Sequence, residues 1–243
     1  MSIAEQITQL KQDFDEVKQA GYDEGYADGQ AQGGGSCQCT WKDTFKEFLE
    51  YKNRIMASLF QGTTFTEFSF KDYDDTAGAT NATNMFTGNK KLTTVTPFNT
   101  SNVTTMATMF ADCAELTAFT GFDTKKCTNF FQSFRGCSSL TTVSIDVDVA
   151  TNLNGTFNGC TSLTNVSIGG YIKASVSFAD SPLLTTGEVG EATNSVQNII
   201  DALIPISDGE ARTITFHAEV MGKLTPEQVN TIKNVKGWSL IPE

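Results

Sequence analysis

Cysteines are the side chains of this sequence most able to do chemistry, and five of the six fall into two patterns. Cys113, Cys137 and Cys160 recur at steps of 24 and 23 residues, whereas Cys37 and Cys39 flank a single glutamine behind a glycine-rich stretch. A zinc or redox site needs thiols that converge on one point. The regular steps instead predict a ladder of parallel side chains about 4.7–4.9 Å apart, whose Cβ atoms do not point at one another. We expect buried, reduced thiols in the ladder. For Cys37 and Cys39 we expect free thiols, with metal binding or a cross-link as the alternative.

The other reactive groups are one histidine and two acidic clusters. His217 falls in an alternating segment that predicts a strand, where a structural role is expected. The carboxylates that could act as a glycosidase pair or bind Ca²⁺ are Asp72, Asp74, Asp75, Asp146 and Asp148. We expect these carboxylates to be solvated turn residues, with a bound cation or a glycosidase pair as the alternatives. Because no nucleophile elbow, zinc-protease, phosphate-loop or dinucleotide motif is present, we expect a protein that is not an enzyme and holds no cofactor.

Composition narrows the partners and the place of synthesis. The 243-residue chain carries a net charge of −11 and shows no basic stripe, so nucleic-acid binding is not expected. No run approaches the about 20 apolar residues of a membrane span. The first residues lack the apolar core of a secretory signal, which predicts synthesis in a cytoplasm without that signal.

An internal repeat organises the centre of the chain. Phenylalanine anchors advance by 24, 24, 23 and 21 residues, and a leucine follows each anchor after six. A small hydrogen-bonding residue follows each anchor after three. The predicted repeat core is Phe86, Leu92, Phe110, Leu116, Phe134, Leu140, Phe157 and Leu163, and the predicted repeat ladder is Asn89, Cys113, Cys137, Cys160 and Ser181. A period of 20–29 residues with such positions is typical of leucine-rich repeats.

The segment FNTSNVTTMATMFADCAELTAF, residues 98–119, resembles the BspA-like leucine-rich repeats of bacterial surface and phage proteins. The matching positions include the run from Thr100 to Thr104, Met109-Phe110, Cys113 and Leu116. The later phrases SFRGCSSLTTV and TFNGCTSLTNV follow the same pattern. The resemblance implies an α/β repeat, a short solenoid whose turns stack on one another. It implies no particular binding site.

The two ends predict an attachment element and caps. A heptad of apolar residues, typical of a coiled-coil seam, comprises Ile3, Ile7, Leu10, Phe14 and Val17. We expect a coiled-coil stalk at 1–28, a Gly-rich linker at 29–39, an N-terminal cap at 40–80, repeats at 81–185 and a C-terminal cap at 186–243. In the last segment the patterns predict a helix around Val196–Leu203, a strand over Arg212–Val220, a helix from Thr225 to Gly237, and a final strand over Trp238–Ile241.

The layout as a whole is also similar to repeat proteins of gut phages and prophages, which have a short coiled N-terminus, GYxxGYxxG-like turns and an ending like LTPEQVNTIKNVKGWSL. The similarity implies a non-enzymatic virion protein: a fibre, a decoration protein or a receptor-binding adhesin. We expect its N-terminal helix to join other virion proteins and to form a homo-oligomer, a trimer by preference. The repeat body would face a host surface protein or glycan. The alternatives are a bacterial surface adhesin and, less favoured, a glycan-active enzyme.

Overall fold

The computed structural model describes residues 57–69, 78–186 and 194–242, all within one compact unit, Asn53–Glu243. Several sequence predictions therefore lie outside the described residues. They are the stalk heptad, the linker, Cys37 and Cys39, most of the N-terminal cap, and the acidic cluster at 72–75. These remain predictions from the sequence.

In the described residues, eight short strands form the frame of this unit, and all of them pair in parallel. Three sheets contain them in chain order: β1 (Glu67–Phe68) with β2 (Thr94–Val95); β3 (Ala118–Phe119), β4 (Thr142–Asp146) and β5 (Asn165–Gly169); β6 (Val176–Phe178), β7 (Thr213–Phe216) and β8 (Ser239–Pro242). Partners in β3, β4 and β5 lie one repeat apart, as in Phe119, Val143 and Val166. Each turn of the chain therefore adds one strand to the sheet.

A second backbone row stacks the same copies on another side. Parallel bridges join Asn81 to Thr105, Thr105 to Asn129, and Asn129 to Asn152. The turn after each bridge also donates to the next copy, since the Phe110 amide bonds the Ser133 carbonyl at 2.9 Å and the Phe134 amide bonds that of Thr156 at 3.0 Å. Successive copies are thus joined along two separate lines of backbone hydrogen bonds.

A column of stacked phenylalanine rings fills the space between these rows. Neighbouring ring centroids lie 4.8–6.1 Å apart, and the rings are those of Phe60, Phe86, Phe110, Phe134, Phe157, Phe178 and Phe216. The four leucines of the predicted repeat core are buried beside them. Phe60 and Phe216 come from segments predicted to be caps, so the column crosses both predicted boundaries of the repeat region. The sequence hides these two copies because neither carries a leucine six residues after its phenylalanine.

Helices occur only after the repeats within the described residues. They are α1 (Ser195–Ala202), α2 (Ala218–Met221) and α3 (Pro226–Asn230), and α3 continues as a π-helical turn, Thr231–Val235. The side chain of Asn194 caps α1, and a capping box of Thr225 and Gln228 begins α3. None of the helices described has the length and apolar character needed to span a membrane.

Three element predictions near the C-terminus are wrong in their bounds. The strand predicted over Arg212–Val220 ends at Phe216, because the ring of His217 accepts the amide of Glu219 and begins α2. The helix predicted to run to Gly237 is α-helical only to Asn230, and the final strand starts at Ser239. Trp238 precedes that strand and is buried, its indole N–H donating to the Ile204 carbonyl at 2.8 Å.

A glycine after β5 shows how tightly the copies stack. Gly170 has a φ of +72°, and a Cβ atom there would lie 2.5 Å from Cβ of Asp148 and 2.9 Å from its backbone nitrogen. Gly170→Ala is therefore expected to combine the left-handed penalty of about 1 kcal/mol with an overpacking loss of about 1–3 kcal/mol. Gly209→Ala is the matched control, since its φ is +76° but no atom lies within 4 Å of the added Cβ. Urea denaturation of both variants measures the difference, and equal losses would contradict the close stacking.

Candidate functional site

The predicted ladder residues occupy equivalent positions in successive copies, where each bonds a backbone carbonyl. The thiols of Cys113, Cys137 and Cys160 lie 3.1–3.2 Å from the carbonyl oxygens of the preceding anchors, which are Phe86, Phe110 and Phe134. At the ends of the ladder, the Asn89 amide donates to the Phe60 carbonyl at 2.7 Å and the Ser181 hydroxyl to the Cys160 carbonyl at 3.4 Å. The ladder therefore ties each turn to the one before it.

Burial keeps these thiols protonated. It raises the pKa of Cys113 and Cys160 to about 12, and it holds the pKa of Cys137 well above the usual 9.0. Cys127, in the neighbouring apolar position, behaves alike, with its pKa raised by burial to about 12. Because the thiolate is the nucleophile and the metal ligand, these groups act near neutral pH as weak hydrogen-bond donors. The described residues also contain no cluster of three or more metal-ligating side chains.

A row of buried hydroxyls, in addition to the ladder, was not predicted from the sequence. Ser133 donates to the Met106 carbonyl at 2.8 Å, and Thr156 donates to the Phe130 carbonyl at 2.9 Å. Both side chains are buried. Their spacing of 23 residues carries the signal, but serine and threonine are so frequent in this chain that the row does not stand out from the surrounding sequence.

Two rows of threonine cover the outside of the stack. The first threonine row comprises Thr93, Thr117, Thr141, Thr164 and Thr185, and the second comprises Thr104, Thr128 and Thr151. Every hydroxyl donates to the backbone carbonyl of the equivalent residue one copy earlier, at 2.8–3.3 Å. The second row is exposed throughout. Because the hydroxyl hydrogens are engaged, the rows offer mainly acceptor lone pairs to a partner.

Among the candidate groups that the structure describes, Asp146, Asp148 and His217 are engaged in local structure. An oxygen of Asp146 accepts the Asp148 amide at 3.0 Å, and Asp148 pairs with Lys173 at 3.0 Å. Similar pairs join other copies, as Arg135 does with Asp112 at 2.7 Å. Exposed pairs of this kind contribute about 0–1 kcal/mol each. These contacts give Asp146, Asp148 and His217 structural roles, with the histidine capping α2 rather than lying in the predicted strand.

A concave surface lies where β5 meets α1. This cleft has a volume of about 340 Å³, and its polar lining comes from Ser167, Tyr171, Asn198 and Asp201. No sequence motif predicted this cleft, because its residues come from two segments about 30 positions apart. Tyr171 differs from the other lining residues because it is a large aromatic residue, with 57% of its surface exposed.

Comparison with known proteins gives one match, which covers the segment that contains most of the stacked copies. No curated protein and no solved structure shows a significant match to this chain. One protein family does match, over residues 54–177, which is just over half of the 243 residues. That family is associated with BspA-like surface repeat proteins. The chain therefore belongs to the family described as Mycoplasma protein of unknown function, DUF285.

Proposed function

We propose that this chain is a non-enzymatic recognition protein displayed on an outer surface. In this proposal the stacked copies form a short leucine-rich-repeat solenoid of the BspA-like kind, and the N-terminal helix attaches it to its assembly. The observation that carries the proposal is the family match at 54–177, since this segment contains most of the stacked copies and the family is associated with surface repeat proteins. The partner would be a host surface protein or a glycan.

The roles of the reactive side chains support a protein without catalysis. The ladder thiols, His217 and Asp148 all hold backbone or neighbouring side chains, as described above. A catalytic pair would need groups that face a common substrate position. Structural use of these side chains instead favours a rigid frame, whose regular exterior of threonine hydroxyls is available for contact.

Two settings satisfy this proposal. The family match favours a bacterial cell surface, as in an adhesin. The similarity of the layout to phage repeat proteins supports the second setting, a virion in which the helix joins other virion proteins as a trimer. In both settings, residues 1–28 would attach the chain and the repeats would be displayed.

Charged substitutions in the apolar seam test whether the N-terminal helix attaches the chain. Ile7→Asp combined with Leu10→Asp, in the full chain, places charge on the predicted apolar seam and should abolish self-association and co-sedimentation with intact cells or phage particles. The matched control is Gln9→Asp with Gln12→Asp, which adds the same charge off the seam and should sediment like the wild type. Light scattering and pelleting assays measure both properties. If the seam variant still sediments normally, attachment does not run through this helix and this part of the proposal is wrong.

A further inference from the structure

We propose that the cleft between β5 and α1 binds a neutral saccharide unit, with Tyr171 as its stacking platform. The inference deepens the proposed function and rests on it, because it names the class of partner and the place of contact. A volume of about 340 Å³ lies at the low end of the range of small-molecule sites. The cleft is therefore suited to one sugar residue of a longer glycan.

The backbone on both sides of Tyr171 is fixed, so this residue stays in the lining of the cleft. Gly170, with its φ of +72°, turns the chain at the end of β5. Ile172, which follows Tyr171, is buried, and its amide donates to the Ala202 carbonyl at 2.8 Å at the end of α1. Tyr171 is thus fixed between a tight turn and a buried anchor while its side chain stays exposed. The face of an aromatic ring carries partial negative charge, which suits the C–H groups of a pyranose.

Three polar side chains of the cleft lining have hydrogen-bond donors and acceptors that the fold does not use. The Tyr171 hydroxyl, the Ser167 hydroxyl and the Asn198 amide make no hydrogen bond to any residue in the part of the chain that the structure describes. Asn198 and Asp201 lie three residues apart on α1 and so share a face of the helix. An amide both donates and accepts, and a carboxylate only accepts. Together they match neighbouring sugar hydroxyls, each of which is donor and acceptor at once.

A relay of glutamines orients the carboxylate. The Gln197 amide donates to one oxygen of Asp201 at 2.8 Å and accepts from the buried Gln228 at 3.0 Å. Gln228 is itself fixed by the capping box of α3. The relay engages one carboxylate oxygen, and the other makes no hydrogen bond to the residues that the structure describes. Such support behind a binding group holds it in one geometry before the ligand arrives.

Charge decides between neutral and acidic sugars. The cleft lining contains one carboxylate and no cationic side chain. Lys236 lies close by, but its ammonium group is directed at the backbone oxygen of Asp201, 3.5 Å away. The Asp201 carboxylate forms no salt bridge with the residues that the structure describes. An anionic sugar would therefore face an unneutralised negative charge, and like charges repel. The lining therefore favours neutral hexose or N-acetylhexosamine units.

The test is a printed array of neutral and sialylated oligosaccharides probed with the full chain. We expect binding to neutral glycans, a loss of about tenfold or more with Tyr171→Ala, and near-normal binding with Tyr171→Phe, which keeps the ring. Asp201→Asn should weaken binding by removing the charged acceptor. Leu183→Ala is the matched control, because Leu183 is also a large apolar residue, 52% exposed, and does not line the cleft.

Three outcomes would overturn the inference: no glycan bound by the wild type, binding unchanged in Tyr171→Ala, or binding of sialylated glycans alone. Failure of the cleft is distinguishable from failure of the proposed function, because sedimentation is tested with seam variants and glycan binding with cleft variants. A chain that sediments with cells or particles but binds no neutral glycan refutes only the cleft. A chain that binds neutral glycans through Tyr171 but never reaches a surface refutes only the display.

Discussion

Phe134→Ala should lower the free energy of unfolding by about 3–5 kcal/mol, the usual loss when a large buried aromatic side chain is removed. Phe134 is 1% exposed and stacks on Phe110 at 6.1 Å and on Phe157 at 6.0 Å, with Phe119 tilted against it at 5.0 Å. Its ring lies in the middle of the column, where backbone hydrogen bonds on two sides prevent the copies from closing the cavity. The loss is therefore expected near the upper end of that range.

The neighbouring phenylalanine provides the control for this prediction. Phe131 lies in the same turn but is only half-buried and is not part of the ring column. Phe131→Ala should cost clearly less than Phe134→Ala in equilibrium urea denaturation of the two variants and the wild type. Comparable losses from both positions would mean that the column does not hold the copies together.

Raising the pH from 9 to 11 should destabilise the protein steeply through its buried thiols. Burial raises the pKa of Cys113, Cys127 and Cys160 to about 12 from 9.0, so the folded chain keeps protons that the unfolded chain loses in this window. A raised folded-state pKa gives stability that is complete below pH 9 and is lost as the pH rises toward 12. Each thiol contributes a slope of about 1.4 kcal/mol per pH unit at most.

Replacing the ladder thiols isolates their part of this slope. Serine is tolerated at the ladder position, since Ser181 occupies it in the last copy and donates to a carbonyl there. Cys137→Ser should therefore fold, remove one titrating group, and flatten the fall of stability between pH 9 and 11 relative to the wild type. Lysine and tyrosine titrate equally in both proteins, so they cancel in the comparison. Parallel pH profiles of urea midpoints would show that the thiols do not carry the effect.

The repeat could be read from the sequence because three linked offsets recur. Phenylalanine, leucine and cysteine are each rare enough that their spacing exceeds the background, and the family match confirms the resemblance to BspA-like surface repeat proteins. Nothing in the comparisons supports the phage part of that resemblance. Phe60 and Phe216 were missed because the column needs only a ring in register, and a single ring without its leucine has no signature.

The cleft could not be predicted for a different reason. Tyr171 and Asp201 come together only because Ile172 pairs with Leu203 at the end of α1, and these two partners are 31 residues apart in the sequence. No period connects the two segments. Likewise, His217 alternates with its neighbours as a strand residue would, and only its bond to the Glu219 amide reveals a helix cap. Local pattern predicts elements well, but it does not predict which elements meet.

Immunogold electron microscopy of intact cells and released particles from the producing organism tests the central claim of surface display most directly. An antibody against the full chain should label the outer face of the cells or of phage particles without permeabilisation. Label on cells would favour the adhesin setting, and label on particles the virion setting. Label that appears only after permeabilisation, within the cytoplasm, would contradict the account.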